Sequence, residues 1–121
     1  MTDLYTERLL SYWNPNLRGF HDQDYTHMAS ETSSLCGDEV EFRVTLKDGL
    51  LETVDVWARG CCLSECCAAM LAKLARGKPL VWLDTFTDQD WVNHVNVPVG
   101  ESRKKSCLML PLRCLRRAFT N

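Results

Sequence analysis

Nowhere does this 121-residue chain contain an apolar run near the ~20 residues that a membrane-spanning helix requires, which argues against a bilayer protein. The start, Met1-Thr2-Asp3, lacks the basic residues and apolar stretch of a secretion signal, so export is not expected. Repeats, low-complexity segments and linkers are also missing. With 45% hydrophobic and 25% charged residues, the composition lies far from disordered or collagen-like extremes. A single domain spanning residues 1–121 is the expectation. A domain of this size buries roughly two thirds of its unfolded surface, enough for a core without staples.

Charge is unevenly placed. Residues 1–56 hold 11 Asp/Glu against 4 Lys/Arg, and residues 57–121 hold 5 against 10, leaving a net −2. The basic clusters Arg103-Lys104-Lys105 and Arg113/Arg116/Arg117 are short and carry no interleaved aromatics on which bases could stack. Nucleic-acid binding is therefore not expected. A solvated face, or a docking surface for an acidic protein partner, accounts for them more simply.

What the chain does have is cysteine, seven residues of 121. Seven cannot all pair. Without an export signal the expected compartment is the reducing cytoplasm, where such a count points to metal or thiol chemistry. The bland alternative is that some are small buried hydrophobes.

Periodicity supplies the framework. Leu4, Tyr5, Leu9, Leu10, Tyr12 and Trp13 follow a near-helical spacing that Asn14-Pro15 stops. An edge strand is expected around Tyr25–Ala29. Val40, Phe42, Val44 and Leu46 alternate with polar residues, Asp48-Gly49 supplies a tight turn, and Leu51–Trp57 returns as the second strand of a hairpin. From Ser64, a natural N-cap, a helix runs to Gly77. One or two short helices fit residues 79–93, with Thr87 as a cap. Leu108–Ala118 reads as a last helix, with Pro111 in its first turn.

Three cysteines sit where a site could form. Cys36 precedes Gly37-Asp38 and a strand, Cys61 lies at a strand-to-helix junction, and Cys107 stands near the start of the last helix. A helix N-terminus favours thiolate, and three thiolates with one carboxylate make a four-coordinate set for zinc or iron. The paired Cys-x-x-Cys spacing of common zinc sites is absent. Cys62 and Cys66 can share a helix face at i, i+4, although adjacent cysteines also fill tight packing. Cys114 reads as core. His21, His27 and His94 suit surface or capping roles, and Trp13, Trp57, Trp82 and Trp91 suit core or interface positions.

Three segments together sharpen this picture. Tyr12-Trp13-Asn14-Pro15-Asn16-Leu17-Arg18-Gly19, then Leu35-Cys36-Gly37-Asp38, then Gly60-Cys61 opening a small-residue helix that ends at Gly77-Lys78, resemble the IscU/NifU N-terminal family of iron–sulfur cluster scaffolds, with its SufU-type branch. Cys107-Leu108-Met109-Leu110 resembles the family's third-cysteine helix. The resemblance covers nearly the whole chain.

It implies an α+β fold: a small antiparallel sheet of about three strands, helices packed on one face, and a metal site at one end. It further implies Cys36, Asp38, Cys61 and Cys107 as the metal- and cluster-binding residues, with Cys107 or Cys36 as the persulfide acceptor. The function expected is a scaffold rather than a stand-alone enzyme. It would accept sulfur from a cysteine desulfurase, build a 2Fe-2S cluster with iron, and pass it to apo iron–sulfur recipient proteins. The alternative is a zinc-dependent sulfur carrier of the SufU type that activates the desulfurase. Either is compatible with a homo-oligomer.

Departures from the family pattern bear on that choice. Ser106 stands where the IscU branch has a histidine before its third cysteine, which favours the zinc reading. The 46-position step from Cys61 to Cys107 is IscU-like and lacks the SufU-type insertion. The Leu-Pro-Pro-Val-Lys chaperone motif is absent. Cys62, Cys66 and Cys67 replace small residues, either as packing or as an added sulfur relay.

Overall fold

The computed structural model describes residues 25–33, 37–96 and 107–120, and of residue 62 the backbone alone. The expected N-terminal helix, the Asn14-Pro15 stop, Cys36, Ser106 and the Arg103-Lys104-Lys105 cluster all lie outside these residues.

Strands β1 (His27–Thr32), β2 (Glu39–Lys47) and β3 (Leu50–Arg59) form one antiparallel sheet in the order β1-β2-β3. The first strand falls slightly later than the expected Tyr25–Ala29. The β2–β3 hairpin turns at Asp48 (φ 55°) and Gly49 (φ 77°). Two successive positive φ angles match the right-handed twist of the flanking strands, and Asp-Gly meets that demand.

The hairpin holds one irregularity. Thr45 pairs with Thr53 but Leu46 pairs with Leu51, so Glu52 is an extra residue in β3. This bulge resolves a conflict of period, because Leu51 and Val54 lie three apart yet are both buried. One inserted residue flips the alternation back toward the core.

Helix α1 (Cys62–Ala75) packs on β3, and α4 (Leu110–Arg117) packs on β1 and β2 and touches α1. Between sheet and helices lies the core: Val40, Phe42, Val44, Leu51, Val54 and Ala58 against Cys66, Cys67, Met70, Leu71, Leu112, Cys114 and Leu115. After α1 the chain turns at Gly77 (φ 83°) and lays its backbone on the start of β3, through Leu51 N–H to Lys78 C=O at 2.8 Å and Gly77 N–H to Leu51 C=O at 2.7 Å.

Two short helices follow, α2 (Val81–Thr85) and α3 (Asp88–Val95). Thr87 caps α3 as expected, in a reciprocal capping box with Asp90. Pro111 occupies the first turn of α4, where its missing N–H costs nothing. Two arginines of the basic cluster act within the fold. Arg116 donates to Asp88 and to the Phe86 carbonyl, and Arg117 pairs with Glu31 of β1. No helix among the described residues is long and apolar enough to cross a membrane.

Candidate metal centre

The site forms where three chain segments meet at one end of the sheet. The β1–β2 connection closes through Ser33 N–H to Asp38 C=O and Gly37 N–H to Ser33 C=O, both 2.8 Å, with Gly37 at φ 72°. That turn delivers Asp38 to the mouth of β2, where it is 2% exposed. The end of β3 passes through Gly60 into α1, and Cys61 is the cap. A π-helical turn just before α4 carries Cys107, also 2% exposed.

Ser64 was expected as the N-cap of α1, but the helix begins earlier, with Cys61 in that role. The Cys61 Sγ accepts the Ser64 N–H at 3.5 Å. The shift has a cause: the Cys61 N–H is bound to Asp38 Oδ1 at 3.0 Å, which fixes the chain just before the helix. Ser64 is thereby one turn inside, and its hydroxyl donates to Asp38 Oδ2 at 2.5 Å.

Asp38 Oδ2 is the hub. The Cys61 thiol donates to it at 3.3 Å, the Cys107 thiol at 3.4 Å, and the two sulfurs are 3.6 Å apart. A buried carboxylate is costly unless hydrogen-bonded, and here donors converge on it. Cys61 is half-buried. It caps helix α1, its sulfur accepting the Ser64 N–H.

Among the described residues, Asp38, Cys61 and Cys107 form a group whose ligand atoms all lie within 4.8 Å of one another. The donor set suits a soft cation. A tetrahedral ion with metal–sulfur bonds of about 2.3 Å and metal–oxygen bonds of about 2.0–2.2 Å separates its ligands by about 3.5–3.8 Å. The observed edges of 3.3, 3.4 and 3.6 Å are a few tenths of an ångström from that triangle. One cation can thus replace two thiol protons with little rearrangement.

The structure brings three of the four sequence candidates together, and Cys36, two residues before Asp38, lies outside the described residues. Of the remaining cysteines, those whose side chains are described, Cys66, Cys67 and Cys114, belong to the core and not to this group. Cys66 and Cys67 are fully buried in the core. Cys114 donates to the carbonyls of Ala29 at 3.2 Å and Val40 at 3.4 Å, and burial pushes its thiol up to about 12. It is a packing residue, inert as a nucleophile. His27 packs at a tilt against Phe119, and His94 stacks on Trp91. Trp91 is a core residue whose indole N–H holds the Leu108 carbonyl at 2.8 Å, beside Cys107.

Two participants escaped sequence reasoning. Gly60 is needed because a Cβ there would lie 2.8 Å from the Asp38 Cβ and closer still to the carboxyl group. Ser64 is needed at Asp38 rather than at the helix cap. The signal for both was the Gly-Cys-x-x-Ser spacing of residues 60–64, which reads equally well as an ordinary helix start.

The NifU-like N-terminal domain model matches residues 4–121 of this chain. No curated protein sequence matches it. Among solved structures, a protein assigned as an iron–sulfur cluster assembly scaffold for the SUF system, from thermophilic Fervidobacterium islandicum AW-1, superposes with a TM-score of 0.75 at 16% identity, covering 98% of this chain and 96% of that one. A nitrogen-fixing NifU-like protein (N-terminal) from Brucella abortus superposes with a TM-score of 0.69 at 15% identity, covering 95% and 91%. At such identities these likenesses speak to the fold: a three-stranded sheet with helices packed against it.

Proposed function

The chain belongs to the NifU-like N-terminal domain family, and from that premise we propose that it assembles a 2Fe-2S cluster on Cys36, Asp38, Cys61 and Cys107 and hands it to apo-proteins. Family and fold support an iron–sulfur cluster scaffold role. The observation that carries the finer reading is the convergence of Asp38 Oδ2 with the Cys61 and Cys107 sulfurs.

The cluster is cargo, and a cargo site must hold and release. Thiolates bind iron strongly, whereas one oxygen ligand and a half-exposed cysteine leave a weak side from which exchange can begin. Sulfur arrives by exchange. The thiolate of Cys107 or Cys36 attacks the terminal sulfur of a cysteine desulfurase persulfide, forming a new S–S bond and releasing the desulfurase thiolate, with no net electron transfer. Such work belongs in a reducing compartment, and the cytoplasm is part of this reading.

A second reading is favoured by one residue. Ser106 offers no imidazole beside Cys107, which leaves three thiolates and a carboxylate, a set that zinc also takes. The protein would then relay sulfur and activate the desulfurase without building a cluster.

Anaerobic reconstitution with ferrous iron and sulfide, followed by incubation with an apo-ferredoxin, tests the choice. Visible absorption that forms and then moves to the ferredoxin is the result expected of the scaffold. Tightly held zinc, no colour and a stimulated desulfurase would move the assignment to the sulfur carrier.

A further inference from the structure

We propose that Ser64 is a positioning residue that keeps Asp38 a weak ligand, so that the carboxylate is the point at which the site lets its metal go. The inference rests on the metal-site reading above and adds a residue to it. Ser64 is 1% exposed and its hydroxyl donates to Asp38 Oδ2, the same oxygen that accepts both thiols. When a cation replaces the two thiol protons, the Ser64 proton remains on that oxygen. A donor on a ligand oxygen withdraws electron density from it, and the metal bond weakens.

A hydrogen bond to a ligand can also orient it, and losing one then lowers affinity. The two effects have opposite signs, and the surroundings of Asp38 decide between them. Oδ1 is tied independently to the Cys61 N–H at 3.0 Å. The corner that presents this N–H is itself braced, because Glu65 Oε2 accepts the Gly60 N–H at 3.1 Å. Gly60 lies so close to Asp38 that the carboxyl group is confined on that side. The Ser64 Oγ also accepts from the Cys61 thiol, at a longer 3.6 Å, a contact that ends when that proton is lost to a metal. With orientation secured by the other contacts, removing the Ser64 hydroxyl changes mainly the donor strength of Oδ2, which it meets at 2.5 Å.

Alanine at position 64 suits a helix interior, so the variant is expected to fold. The test loads the whole chain with cobalt(II), reads the thiolate-to-cobalt absorption band, and follows its decay into excess EDTA. Ser64→Ala should bind the same number of ions with the same band and release them about tenfold more slowly, equivalent to about 1.4 kcal/mol. In an Asp38→Ala background, Ser64→Ala should change release by less than about twofold, because its main effect passes through Asp38 and only the longer contact to Cys61 remains. Release at the wild-type rate or faster would overturn the proposal, as would an equal slowing in the Asp38→Ala background. A wild-type chain without the thiolate-to-cobalt band would instead remove the metal-site reading itself, and this inference with it.

Discussion

Gly60 and Asp38 approach so closely that no side chain can stand at position 60. A Cβ there would come within 2.8 Å of the Asp38 Cβ and nearer still to its carboxyl group, on the far side of which wait the two thiols. The glycine is thus part of the site, since only a bare backbone lets the end of β3 press against the mouth of β2.

Gly60→Ala should therefore displace the Asp38 carboxylate. Overpacking of this kind costs about 1–3 kcal/mol, read as a lower urea midpoint. Zinc affinity, measured by competition with a chromogenic chelator, should fall at least about tenfold. Unchanged affinity would mean that Asp38 does not hold the metal in the observed orientation.

Trp91 positions the other side. Its indole N–H holds the Leu108 carbonyl, one residue from Cys107, and both side chains are buried. Trp91→Phe keeps an aromatic ring but leaves that carbonyl unpaired, at a cost of about 1–3 kcal/mol. Zinc affinity should fall with it, because Cys107 loses its anchor. A variant with reduced stability and full affinity would show that the turn before α4 holds Cys107 without the indole.

Cys114 offers a pH-dependent signature. Its thiol titrates at about 12 in the fold, against an ordinary 9.0, with burial as the main cause and the peptide N–H of Phe42 working against it. Below about pH 8 the thiol is protonated in both folded and unfolded chains. Above that the unfolded chain loses a proton that the fold retains, so stability falls as pH rises toward 12. Between about pH 8.5 and about pH 10.5 the loss from this one group is about 2 kcal/mol. Cys114→Ser, which does not titrate, should lose less over that range in urea unfolding. Parallel losses in the two proteins would count against a buried, protonated Cys114.

Much of the fold was legible in the sequence. The alternation from Val40 to Leu46, the Asp48-Gly49 turn, the Thr87 cap and Pro111 in a first turn are local signals, and each stands where its chemistry requires. What stayed hidden was non-local. The bulge at Glu52 follows from pairing with Thr45 and Leu46, which no single strand reveals. Ser64 reads as an N-cap until Asp38, 26 positions earlier, arrives to take its hydroxyl. Site residues were legible by their resemblance to a known pattern rather than by spacing, since Asp38 and Cys107 are 69 positions apart and nothing local links them. Cys114 reads as core from the sequence, whereas the sorting of Cys66 and Cys67 into the core needed the helices docked on the sheet.

Anaerobic reconstitution with ferrous iron and sulfide, applied side by side to the wild-type chain and to Cys61→Ser, Cys107→Ser and Cys114→Ser, probes the assembled site most directly. Visible absorption with stoichiometric iron should appear in the wild type and in Cys114→Ser, and be lost in Cys61→Ser and Cys107→Ser. Equal iron and equal colour in all four proteins would contradict the assignment of Asp38, Cys61 and Cys107 as the place where the cluster is held.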